Sequence, residues 1–70
     1  MGVAVNADQL RLELARRGWC NADLARQARV SNATVSAAVA GRPVSPTTLR
    51  LIVAALANTP PLAGVDALLL

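Results

Sequence analysis

The chain has no histidine, lysine, phenylalanine or tyrosine, and only one cysteine, one tryptophan and one methionine among its 70 residues. Each absence removes a class of chemistry. Without His there is no imidazole base to activate Cys20, and no Cys/His spacing that would hold zinc. No nucleophile–base pair or metal cluster can be assembled, so the expectation is a chain that is not an enzyme and needs no cofactor, metal or small-molecule ligand. A single thiol closes no internal disulfide, and Cys20 reads as a small filler in a reducing cytosol. Met1-Gly-Val-Ala-Val5 lacks the charged start and apolar run of a secretion signal. No apolar stretch approaches the ~20 residues that span a bilayer, so no membrane partner is expected.

The apolar fraction is nonetheless 54%, supplied by Ala, Val and Leu. Ala and Leu are strong helix formers, and no alternating Val/Ile/Thr pattern suggests strands. The expected fold class is all-α: one compact domain over residues 1–70, with five helices. A chain this short buries only about 60% of its unfolded surface, so its core must be economical. The net charge is +3. Every basic residue is Arg, at 11, 16, 17, 26, 29, 42 and 50. Permanent, forked cations suit bidentate phosphate binding. A surplus of this size permits nucleic acid as a partner without diagnosing it.

Residues 1–5 are expected to fray, unless Val3 and Val5 pack back onto the domain. Asn6 caps a first helix, with Gln9 placed for a capping box, Leu10 and Leu14 inward and Gly18 as the stop. Leu12 falls on the opposite side, exposed or in an interface. Arg16 and Arg17 read as a solvated helix end that answers the dipole. Trp19 reads as a core plug. Asn21 to Gly41 then forms a short helix capped by Cys20 or Asn21, a tight turn at Arg29, and a second helix from Asn32 to Ala40 capped by Ser31. Such a turn usually needs a positive φ, so Arg29 implies mild strain or another turn shape. Leu24, Ala25 and Ala28 on one helix face Val35, Ala38 and Val39 on the other. Ser45 and Pro46 start a fourth helix whose stripe is Leu49, Ile52, Val53 and Leu56, and Asn58-Thr59-Pro60-Pro61 breaks it. Residues 62–70 read as a short closing helix.

Two helices joined by a three- or four-residue turn make a helix-turn-helix, whose second helix can enter a major groove. The run Leu24-Ala25-Arg26-Gln27-Ala28-Arg29-Val30-Ser31-Asn32-Ala33-Thr34-Val35-Ser36, followed by Gly41 and Val44-Ser45-Pro46-Thr47-Thr48, resembles the helix-turn-helix of the lambda-repressor-like superfamily. Val-Ser-x-Ala-Thr-Val-Ser and the later Val-Ser-Pro-x-Thr are similar to lac-repressor-type headpieces. The preceding helix, Arg17-Gly18-Trp19 and a fifth helix are more similar to the Cro/XRE family of phage and plasmid regulators. The resemblance covers roughly residues 7 to 69. It implies a five-helix domain that binds double-stranded DNA sequence-specifically, in the cytoplasm of a bacterial or phage-infected cell.

DNA affinity comes mostly from phosphates and specificity from base edges. The face of the second helix not used for the core offers Asn32, Ala33, Ser36 and Ala37 to the bases. Asn32 is the best reader, since its amide can pair with adenine, while the two alanines offer methyl contacts to thymine. Phosphate contacts are expected from Asn21, Arg26, Arg29, Ser31, Thr34, Arg42 and Arg50. Asn21 can equally be a plain N-cap, and Thr34 can equally cap or pack within the motif. Ser36 can turn its hydroxyl to phosphate instead of base. No Arg or Gln lies on this helix, which departs from the family's habit, so specificity should lean on DNA shape, thymine methyls and Arg side chains from elsewhere.

The leading expectation is a Cro-like transcriptional repressor with no room for a ligand-sensing domain. The alternatives are an antitoxin or recombination accessory factor on the same fold, or a protein-interaction module. The apolar tail is either a lid over the Leu49–Leu56 stripe or a homodimer seam through Leu68 and Leu70, with Leu51.

Overall fold

The structure, a computed structural model, describes residues 2–64. Four helices account for most of them: α1 (Ala7–Arg17), α2 (Asn21–Ala28), α3 (Asn32–Val39) and α4 (Pro46–Asn58). No β-strand occurs among the described residues, so the fold is all-α.

Each helix starts where a short polar side chain answers an orphan amide. Asn6 Oδ1 accepts from the Gln9 amide at 3.1 Å. Ser31 and Ser45 do the same for Thr34 and Thr48, both at 3.1 Å. Cys20 caps α2, and there the bond runs the other way, from the Cys20 amide to Asp23 Oδ2 at 2.9 Å. Of the expected capping box only the Asn6 half is seen, and the Gln9 side chain donates from Nε2 to Glu13 at 3.1 Å.

Three helices stop alike, with one residue in the left-handed region. At α1 it is Gly18 (φ 68), after α3 it is Gly41 (φ 80), and at α2 it is Arg29 (φ 59). Beyond each, an amide returns to a carbonyl five residues back: Trp19 to Leu14 at 2.9 Å, Val30 to Ala25 at 3.0 Å and Arg42 to Ala37 at 2.9 Å. Of the two outcomes open for the turn at Arg29, the chain takes strain. A side chain with a Cβ holds a conformation that costs about 1 kcal/mol relative to Gly.

The core is small. Leu24, Val35 and Ile52 are its largest fully buried side chains. They come from α2, α3 and α4, and each contributes roughly 1.5–3 kcal/mol by leaving water. Leu10 and Leu14 close it from α1, and Ala25, Ala28, Ala38 and Ala55 let the backbones approach. Trp19 is half-buried and packs against this cluster.

Three expectations need correction. The inward side of α4 is centred on Ile52 and Ala55, whereas Val53 is 54% exposed. With Leu49 and Leu56 it borders an open apolar groove of about 170 Å³ between α1 and α4. Arg17 is no solvated helix end: its side chain is 8% exposed. Its Nε donates to the Thr59 carbonyl at 2.6 Å and its Nη2 to the Leu56 carbonyl at 2.9 Å, so it caps α4. Finally, four helices are described and not five. Residues 62–64 are not helical: two prolines precede them and Gly64 is left-handed (φ 79). The rest of the expected closing helix, with Leu68 and Leu70, lies outside the described residues.

Two tethers pull the ends inward. Val3 and Val44 exchange both backbone hydrogen bonds, at 2.6 and 2.9 Å, in an antiparallel bridge. The Leu62 amide donates to the Arg16 carbonyl at 3.0 Å, which returns the chain after α4 to the end of α1. Of the two outcomes open for residues 1–5, Val3 and Val5 therefore pack back.

Candidate nucleic-acid interface

The sequence places its candidate readers on α3, and the fold decides which side of that helix meets solvent. Val35 and Ala38 have no exposed surface at all. At ~100° per residue, Asn32, Ala33 and Ser36 fall on the other arc, and all three are exposed. Ala37 lies at the edge of that arc and is half-buried. The exposed face carries no charge and nothing longer than an Asn side chain.

Arginines stand around this neutral face. Arg29 holds the turn before α3, Arg42 follows its stop, and Arg50 lies near the start of α4; all three are exposed. None has a carboxylate partner among the described residues. Arg26, on α2, is bound to Asp23 at 2.6 Å, but its side chain is 70% exposed. An exposed pair of this kind is worth ~0–1 kcal/mol, so it competes weakly with a phosphate.

The other phosphate candidates differ in how free they are. Ser31 Oγ already accepts from the Thr34 amide and shares a hydrogen bond with Thr34 Oγ1 at 2.8 Å. Those two hydroxyls therefore serve the cap of α3 first. Asn21 is the first residue of α2, not its cap, and it is exposed. The amide end of α2 already faces a carboxylate, since Asp23 binds the Cys20 amide. That bond, the Cys20 side chain and Arg26 hold the Asp23 carboxyl below its ordinary range. A phosphate at Asn21 would meet the side-chain amide with an acid close by.

The sequence reading missed two arginines on α1 that close the ends of α3 and α4. Arg11 Nη1 donates to the Val39 carbonyl at 2.8 Å, at the end of α3, while its Nη2 is bound by Asp8. Arg17 does the same service for α4 and is itself held by Glu13 Oε1 at 2.7 Å. That bond is the chief cause of a lowered Glu13 pKa; burial opposes it, and Arg16 and Gln9 add to it. From sequence, only the cationic end of α1 gave any hint, and it pointed to the dipole of α1 itself.

No family model matches the chain, and no curated protein or solved structure matches it. Among the described residues no group of His, Cys, Asp and Glu could hold a metal, and no helix is long and apolar enough to cross a membrane.

Proposed function

We propose that the chain is a sequence-specific double-stranded DNA-binding regulator, Cro-like in its action, with α2 and α3 as a helix-turn-helix and α3 in the major groove. One observation carries the reading. The solvent side of α3 is a narrow, uncharged strip of Asn32, Ala33, Ser36 and Ala37, with Arg29 and Arg42, neither bound to a carboxylate among the described residues, at its two ends. An α-helix fits the major groove of B-DNA, and cations at both ends of it suit the phosphates along the groove walls. The three-residue turn between α2 and α3 fits the same geometry. Such a domain represses by occupying an operator and excluding polymerase or a rival repressor. A cytoplasmic setting, and an antitoxin or recombination role on the same scaffold, are compatible variants.

A homodimer would set two such helices about 34 Å apart on a pseudo-palindrome. Leu51, 40% exposed, is the described candidate for its seam. A second reading, a protein-interaction module, is favoured by the open apolar groove beside Val53 and by the lack of Arg or Gln on α3.

The deciding experiment is a gel shift on random duplex at about 50 mM salt, followed by selection of bound sequences. Retention with an enriched motif is expected, and the symmetry of that motif reports a dimer. No retention at low salt would leave the interaction module as the better account.

A further inference from the structure

We propose that Arg11 is a positioning residue that fixes the seat of α3 on the domain; this rests on the DNA reading above. The last carbonyls of a helix lack internal partners and must be answered from outside. At the end of α3 the turn answers most of them itself. The Ala40, Gly41 and Arg42 amides return to Ser36, Ala38 and Ala37 at 3.0, 3.0 and 2.9 Å. Val39 is the exception. The residue four places on, whose amide would serve it, is Pro43, which has no N–H. Arg11 fills that place from α1 with a 2.8 Å hydrogen bond, and Asp8 holds the guanidinium from one turn earlier on α1.

The consequence for reading DNA follows from size. An eight-residue helix is marginal alone, so its direction is set by what anchors it. Its inner face is anchored by Val35 and Ala38, and its start by the three-residue turn from α2. The far end has the Arg11 bond. A long Arg or Gln reader could flex to absorb a displaced helix, whereas Asn32 and Ser36 have almost no reach to spare. Recognition constellations tolerate only about 0.5 Å of error, so releasing the far end of α3 degrades readout first.

The test uses the full chain with Arg11→Met and Arg11→Lys, titrated on its selected duplex and on random duplex across a salt series. The expected result for Arg11→Met is about tenfold weaker binding to the selected duplex and less than about twofold to random duplex, with an unchanged salt slope. Arg11→Lys should recover most of the loss, because one ammonium can serve one carbonyl. Hydrogen exchange at the Ala40, Gly41 and Arg42 amides should quicken about tenfold in Arg11→Met and return towards wild type in Arg11→Lys. Equal losses on both duplexes, with the slope reduced by about one, would make Arg11 a phosphate ligand and overturn the proposal. A lower melting temperature with an unchanged ratio of selected to random affinity would overturn it as well. If Arg11→Met does not fold, Asp8→Asn frees the guanidinium more gently and is read by the same ratio. Should the wild-type chain bind no duplex, the DNA reading fails by itself, and exchange at residues 40–42 still reports whether Arg11 holds the turn.

Discussion

Arg17 reaches Thr59, 42 residues away in sequence, and donates from Nε to its carbonyl at 2.6 Å. With the Leu56 bond, this one side chain completes the C-terminus of α4 and joins the first helix to the last one described. Arg17→Met should remove these bonds and leave the Glu13 carboxylate with only Arg16 and Gln9, both on Oε2, among the described residues. The expected loss is about 2–4 kcal/mol. In a domain of this size that lowers the midpoint of a thermal melt by roughly 10–20 °C. Arg17→Lys should recover less than half, since an ammonium cannot reproduce the planar fork. A melt within about 3 °C of wild type would show that α4 does not depend on this cap.

Arg29 holds a left-handed conformation (φ 59) that Gly adopts without a Cβ penalty. Arg29→Gly should therefore stabilise the fold by about 0.5–1 kcal/mol, seen as a higher urea midpoint at unchanged m-value. The same change removes a cation beside α3. On duplex DNA the log–log salt slope should shrink by about one if Arg29 meets a phosphate.

Acid should unfold the protein through its carboxylates. The Glu13 and Asp23 pKa values are both lowered in the fold, the first chiefly by Arg17 and the second chiefly by the Cys20 amide. A group whose folded pKa is depressed stabilises above its unfolded value, and that contribution is lost as pH falls through the folded one. Stability should thus hold down to about pH 5 and decline below the ordinary Glu value of 4.5. With no His in the chain, no step is expected between pH 6 and 8. Urea midpoints at closely spaced pH values check both statements, and Glu13→Gln should flatten the acid limb.

Asn32→Ala should relax preference at one or two base pairs of the selected sequence. Arg42→Ala should weaken all duplexes alike and reduce the salt slope by about one. Repeating the selection with each variant gives the answer. A uniform loss from Asn32→Ala with a base-specific one from Arg42→Ala would exchange their roles.

The helix boundaries were legible because each depends on one residue acting on its neighbours. Asn6, Ser31 and Ser45 accept from amides three residues on, and Gly18 and Gly41 tolerate the conformation that ends a helix. The exposed side of α3 was legible too, as the complement of a core face that Val35 and Ala38 define. What escaped was non-local. Arg11 and Arg17 close helices 28 and 39 or more residues downstream, and periodicity on α1 carries no sign of that. Val53 was misassigned because the apolar stripe of α4 was drawn through its large residues, while the fold turns small Ala55 inward instead. The Val3–Val44 bridge is two residues pairing across 41 positions, which no local pattern announces.

That bridge gives the first few residues a place in the molecule that bears on handling it. Gly2 lies so near Pro43 that an added Cβ would come within 2.5 Å of the proline ring. The loop it touches is the one that carries Arg42 away from α3. A side chain placed at position 2 would press on this corner, next to the surface proposed for DNA. Binding assays are best run on protein that keeps Gly2 unsubstituted.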